Sequence, residues 1–279
     1  MKNIIFITIG FFSILTACNL EKEIDIDLPD YESRPVVECY LEPGQPFALS
    51  LSRSASYFDT FPSLDFSFLQ KVLISNAQVT ISHNGKTYEL KNQFFLNPTT
   101  QKVYNYFNSE FVPTNFDQKF DLKITLADGE TIEATTRLLQ KIQIDSIVVQ
   151  FEKDDTLARV LTYLTDVPNQ ANYYRRMLHE SSLDSIANQD FIFDDRIVED
   201  ALVFGTAYDF AAGDTVISTI FHINKDYYNF LESVFNARDS NGNPFGSPNP
   251  IISNVRGTAG AIGIFTGVSY DREIVIVKR

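Results

Sequence analysis

The 279-residue chain has no tryptophan, three histidines, two cysteines and two methionines. Each scarcity removes a class of chemistry. His83, His179 and His222 fall into no H-E-x-x-H or other zinc spacing, and cysteine partners for a structural zinc are lacking. No G-x-S-x-G elbow is present, so serine hydrolysis lacks its usual support. Basic residues are also few. There are 23 Lys and Arg against 36 Asp and Glu, a net charge of -13 with a pI near 4.6. Phosphate binding needs a basic patch, so this balance argues against nucleic acid as a partner and against lying flat on anionic lipid. No cofactor is implied.

What is present begins at the N-terminus. Lys2 precedes an apolar run from Ile4 to Leu15, and Leu15-Thr16-Ala17-Cys18 closes it. A secretory signal has a basic start, an apolar stretch of roughly 7–15 residues and a small-residue cleavage site. The run is too short for a spanning helix, which needs about 20 residues. Residues 1–17 therefore read as a lipoprotein signal peptide and Cys18 as the lipidation site. Each buried methylene of an acyl chain stabilises membrane attachment by about 0.8 kcal/mol, so two or three chains hold almost permanently. The acidic segment 18–33 reads as a tether, and it resembles the export signals that send bacterial lipoproteins to the outer face of the outer membrane, which implies surface display.

With Cys18 committed to lipid, Cys39 has no partner in the mature chain. It lies in Val36-Val37-Glu38-Cys39-Tyr40-Leu41, where alternation puts Val37, Cys39 and Leu41 on one face. A buried, inert thiol is expected. The 24 Phe and 13 Tyr suit half-buried sheet surfaces.

Turn chemistry at Pro43-Gly44-Gln45-Pro46 separates that strand from a second over residues 47–52. Asn84-Gly85 predicts a type I′ hairpin that sets Ile81 opposite Tyr88 and Val79 opposite Leu90. Around Asp128-Gly129 a second hairpin needs a loop one residue longer than the minimal turn, which brings Ile132 and Ala134 onto the face of Phe120, Leu122, Ile124 and Leu126. Further strands are expected over 144–151, 157–165, 173–179, 191–204, 216–223, 261–268 and 273–277. Asn224 can cap a helix over 225–237, whose Tyr227, Phe230, Leu231, Val234 and Phe235 form a stripe suited to packing on a sheet. The expected fold is mainly β. It comprises two immunoglobulin- or fibronectin-like antiparallel sandwich units, 34–139 and 140–279, the second carrying the helix and a long loop over 239–260.

Interaction loops are the best candidate sites. One is the aromatic segment 57–69, read as an irregular loop, with Tyr57, Phe58, Phe61 and Phe66. The other carries Asn243, Pro244 and Phe245 in the long Asn-, Gly- and Pro-rich connection, since loops of that length are often functional. Asp194 and Asp195 suggest a glycosidase pair, but neighbours on a strand point to opposite faces; Asp195 with Arg196 better fits a turn or ion pair. Gly257, Gly260, Gly263 and Gly267 are not a dinucleotide fingerprint and fit tight turns or close backbone approach. The run Asp239-Ser240-Asn241-Gly242-Asn243 lacks the remaining ligands of a calcium loop.

Several of these landmarks recur together. They are the lipobox and acidic tether, Val36-Val37-Glu38 with Pro43-Gly44, Leu51-Ser52-Arg53-Ser54-Ala55 before Tyr57-Phe58, and Asn76-Ala77-Gln78-Val79. Later come Phe193-Asp194-Asp195-Arg196, Tyr227-Tyr228-Asn229-Phe230-Leu231-Glu232, Asn243-Pro244-Phe245 and the glycine-spaced segment ending at Ile264-Phe265. In this order they resemble the Bacteroidota lipoproteins of the domain of unknown function 4249 family. The resemblance implies an outer-membrane lipoprotein, often encoded beside a TonB-dependent receptor, with no established activity and no catalytic residues. The expected role is a lipid-anchored accessory or binding protein working with such a transporter, its ligand unspecified. A surface spacer, or a hydrolase with carboxylates paired by folding, are the alternatives.

Overall fold

Alternating apolar and polar residues build most of the chain into strands. A computed structural model describes residues 32–55, 66–97, 100, 102–152, 156–165, 170–196, 201–240 and 249–279. Its first strands are β1 (Pro35–Leu41), β2 (Pro46–Arg53), β3 (Gln78–His83), β4 (Lys86–Leu96), β5 (Val103–Phe111), β6 (Lys119–Thr125) and β7 (Thr131–Arg137). β1 buries Val37, Cys39 and Leu41, and β2 buries Phe47, Leu49 and Leu51, as alternation requires. Gly44 turns the chain between them at φ 77°, and the Gln45 N–H donates to the Glu42 carbonyl at 3.0 Å.

Both hairpins form in the expected register. Val79 pairs with Leu90 and Ile81 with Tyr88, around Asn84 and Gly85 at φ 48° and 78°. Two successive left-handed residues are what a type I′ turn demands. In the second hairpin Ile124 faces Ile132 and Leu122 faces Ala134. The Leu126 N–H donates to the Glu130 carbonyl at 2.8 Å, which leaves the longer loop that this pairing needed, with Gly129 at φ 88°.

The later strands are β8 (Ser146–Phe151), β9 (Leu157–Thr165), β10 (Tyr173–Glu180), β11 (Gln189–Asp194), β12 (Ala201–Gly205), β13 (Phe210–Ala211), β14 (Thr215–Ile223) and β15 (Ile262–Ile276). Among the described residues they form an 11-stranded sheet, in the order β11-β10-β14-β15-β1-β2-β5-β4-β3-β6-β7, and a 4-stranded sheet of β8, β9, β12 and β13. The chain is mainly β, in sandwich-like layers. β4 makes the first fold-over. Its residues 86–90 pair with β3, its residues 91–96 pair with β5, and the register shifts between Asn92 and Phe95. An irregularity of this kind bends a strand. The β1-β2-β5 arm and the β3-β6-β7 arm then share one core, with Leu49, Leu51, Ile81, Phe120, Ile124 and Phe265 inside. Each such side chain contributes roughly 1.5–3 kcal/mol by leaving water. A second sandwich stacks β9 and β12 on β10 and β14, through Leu164, Leu202, Tyr174 and Ile220.

β15 belongs to both. Residues 262–267 run parallel to β1 and residues 268–276 antiparallel to β14. The sequence predicts two strands here. One forms because Ser269 and Asp271 are held in line: the Ser269 hydroxyl donates to the Leu139 carbonyl at 2.6 Å, and Asp271 accepts the Ile144 N–H at 2.8 Å.

Two helices complete the described fold, α1 (Phe66–Val72) and α2 (Lys225–Ser240). α1 takes residues 66–69 out of the loop expected there. α2 lies where the apolar stripe placed it. Tyr227 and Leu231 pack with Ile223 and Ile264, on the sheet face opposite the Phe265 core. Asn224 stands at its start, and its Nδ2 donates to the Arg137 carbonyl at 2.9 Å, tying the helix entry to β7.

Candidate functional site

The outer face of β3, β6 and β7 is polar because their other face is committed to the core. Register sets Thr80 beside Lys123 and Lys123 beside Glu133, with Ser82, Asp121 and Thr135 in the next row. The free edge of β7 is covered by a strap over residues 252–259. Glu133 and Arg256 exchange two backbone hydrogen bonds, at 2.7 and 2.8 Å. The Thr131 N–H donates to the Thr258 hydroxyl at 2.9 Å. Covering an edge in this way blocks strand addition.

Glycine makes the strap possible. A Cβ on Gly257 would lie 2.0 Å from the Thr131 carbonyl oxygen, so the close backbone approach expected of these glycines is present. Side chains finish what strands leave open along β15. Asn254 accepts the Phe265 N–H at 2.9 Å and donates to its carbonyl at 2.8 Å, and the Ser253 hydroxyl does the same for Gly263 at 3.0 and 2.8 Å. The Ile252 N–H donates to the Ser233 hydroxyl of α2 at 2.9 Å.

Between this strap, the start of α2 and the β3-β6-β7 face lies an open groove of about 700 Å³. It mixes both charges with hydroxyls: Lys119, Lys123 and Arg256 against Asp121, Glu133 and Asp226, with Thr80, Ser82 and Thr135 between. Asp121 pairs with Lys119 at 2.7 Å and accepts the Thr135 hydroxyl at 2.7 Å. Partial burial pushes its carboxyl up, but these two donors and the Lys119 charge outweigh that and hold it below the usual range. Asp121 therefore stays ionised and serves as an acceptor, not as a proton donor. Among the described residues no group of three or more His, Cys, Asp or Glu side chains is placed to hold a metal ion.

The sequence candidates fall elsewhere. Cys18, Tyr57, Phe58, Phe61, Asn243, Pro244 and Phe245 lie outside the described residues, and Phe66 opens α1. Asp239 and Ser240 end α2, while Asn241, Gly242 and Asn243 lie outside the described residues. Cys39 is fully buried, and burial pushes its thiol far up. Arg196 pairs with Asp194, at 2.7 and 2.9 Å, rather than with Asp195. The Asp195 carboxylate instead accepts the Asn172 backbone N–H at 2.9 Å and its Nδ2 at 2.6 Å. Each aspartate thus has a structural partner. His83 stacks on Phe120 with centroids 3.9 Å apart, and the His222 Nδ1–H donates to the Gln140 carbonyl at 2.8 Å. The groove residues were visible only as the outward half of two hairpins; what makes them a site is the distant strap, which no local pattern announces.

No curated protein matches this chain. Among solved structures, a chain titled "Cytokine receptor complex - Crystal form 1A" is similar at 9 % identity, over 87 % of this chain and 97 % of that one, with a TM-score of 0.28. That likeness is too slight to carry an argument. A family model described as "Domain of unknown function (DUF4249)" matches residues 21–274. The match takes in every described strand but the last residues of β15, and the chain belongs to this family.

Proposed function

We propose that the chain is a lipid-anchored accessory or binding protein of the outer membrane, working beside a TonB-dependent transporter, with the strap-framed groove as its contact surface for polar cargo. The groove carries this reading. It offers hydroxyls and both signs of charge on a rigid sheet, which suits a ligand rich in polar groups. The lipobox at Cys18 and the acidic tether support the address. Hydrolysis is the weaker reading, because Asp121 is held ionised by Lys119 and Thr135 and is unsuited to donate a proton.

The test has two arms. Tagged full-length chain is recovered from native membranes in mild detergent, as wild type and as Lys123→Glu/Arg256→Glu. The proposal expects a co-purifying transporter or cargo that the double variant loses, and a Cys18→Ser chain released from the membrane fraction. Failure to recover any transporter, or equal recovery with the double variant, would count against it.

A further inference from the structure

Residues 146–151 read Ser-Ile-Val-Val-Gln-Phe, with no charge, no proline and no glycine. Ile147, Val148 and Val149 are β-branched, which suits a strand. The segment forms β8, which pairs with β9 and with no other described strand, so β8 is an edge. The usual protections of an edge are a cover, a charge, a proline or a bulge. β7 has its strap, and β11 carries Asp190 and Asp194. β8 has none of these along its length.

Register shows which backbone groups are free. Val160 of β9 turns away from β8: its N–H donates to the Thr206 hydroxyl at 2.9 Å, and its carbonyl accepts the Thr206 N–H at 3.1 Å. Backbone groups alternate sides along a strand, so Arg159 and Leu161 turn theirs toward β8. They stand opposite Gln150 and Val148. Those two bond to β9, and Ile147, Val149 and Phe151 hold their N–H and carbonyl groups out along the open edge. The side chains of the same three residues face the interior but are only partly buried, whereas Ala158, Val160 and Thr162 of β9 are wholly buried. The Arg279 guanidinium lies over the Phe151 ring at 5.5 Å, at one end of the row. Along β8 the sandwich is thus unfinished in backbone and in side chains.

The pattern is self-complementary. A twofold axis through Val149, normal to the sheet, sets Val149 opposite its own copy, Ile147 opposite Phe151 and Val148 opposite Gln150 in antiparallel register. Each outward-facing residue then exchanges both of its backbone bonds, and every inner side chain meets an apolar one. Glu152 falls opposite Ser146, so no like charges meet along the pairing, although the chain carries a net charge of -13. We propose that β8 is a homodimerisation edge: a second copy of the chain adds its own β8 antiparallel to the first, joining the two 4-stranded sheets into one.

A contact of this size is weak, with a dissociation constant on the order of 10–100 µM expected. Sedimentation of the full-length chain in mild detergent should show the protein mass per particle double across that range. Amide exchange in the wild type reads the edge without any variant. At a concentration about tenfold above the dissociation constant, the Ile147, Val149 and Phe151 N–H groups should exchange roughly fivefold more slowly than in the monomer, while those of Val148 and Gln150 are protected throughout. Val149→Pro removes an N–H that the monomer leaves free, so it should fold and stay monomeric. In a Cys18→Ser background, Val149→Cys should oxidise to a linked dimer, because its two copies meet on the axis with Cα atoms about 5.5 Å apart. Val148→Cys is more exposed but should link at least about tenfold more slowly, since its two copies lie roughly 7–8 Å apart. A single chain per particle at every concentration, exchange at Val149 that ignores concentration, a dimer retained by Val149→Pro, or equal linking at residues 148 and 149 would each overturn the proposal.

Discussion

Asn105 occupies, with its side chain, a place in the ladder that the β5 backbone does not fill. Its Oδ1 accepts the Leu51 N–H at 2.8 Å, and its Nδ2 donates to the Leu51 carbonyl at 2.9 Å and the Ile74 carbonyl at 2.8 Å. Asn105 is buried, so water cannot replace these bonds. Asn105→Ala would strand the Leu51 N–H and the Ile74 carbonyl, while the Leu51 carbonyl keeps the Ile74 N–H at 3.0 Å. A loss of roughly 2–4 kcal/mol is expected, read as a lower urea midpoint with unchanged slope. A change below 0.5 kcal/mol would show the amide to be dispensable.

Gly263 sits in β15 at φ 131°, and a Cβ there would lie 1.9 Å from the Val37 carbonyl oxygen of β1. Gly85, at φ 78° in the first hairpin, has open space around it. Gly85→Ala should cost about 1 kcal/mol from backbone strain alone. Gly263→Ala must also push β1 and β15 apart, so it should cost more than about 3 kcal/mol or prevent folding. Equal losses for the two variants, measured by thermal unfolding, would contradict the tight β1–β15 contact.

His179 and His222 are both held below the ordinary imidazole value of 6.5, first by burial and, for His179, next by the Arg272 charge. The folded chain thus disfavours their protonation, whereas the unfolded chain takes up protons near pH 6.5. Their contribution to stability is full above that pH and is lost as pH falls through the depressed folded values. The unfolding midpoint should drop between pH 7.5 and 5.5, and His179→Gln/His222→Gln should flatten this dependence. A double variant as pH-sensitive as the wild type would rule these groups out.

Cys39 has no exposed surface, and burial raises its thiol well above the usual range. Thiolate is the reactive form. In a Cys18→Ser chain, a thiol reagent should label nothing in the native state and one group after unfolding. Prompt labelling of native protein would mean that the β1 core opens readily.

Legibility in the sequence followed distance along the chain. Asn84-Gly85 and Asp128-Gly129 specify their hairpins locally, so Ile81 meets Tyr88 and Ile124 meets Ile132 as the pattern requires. Tyr227 and Leu231 likewise announce the buried side of α2. The parallel pairing of Val37 with Gly263 joins residues more than two hundred positions apart, and hydrophobic alternation names no partner. β5 shows no alternation in the sequence because Tyr104, Asn105 and Tyr106 are all buried, which erases the period-two signal. Alternation through residues 173–179 also sets Arg176 between Tyr174 and Leu178, on the face a core would claim. The strap and its groove depend on Ser253, Asn254 and Gly257 acting on distant backbone, which composition alone cannot reveal.

β15 carries a mechanical consequence. A strand zipped to β1 at one end and to β14 at the other acts as a splice, not a hinge. Fraying either end withdraws backbone partners from the neighbouring core, so the two sandwiches should melt together rather than in sequence. A tug received at the C-terminal sandwich would travel along that single ribbon to β1, the first strand of the chain.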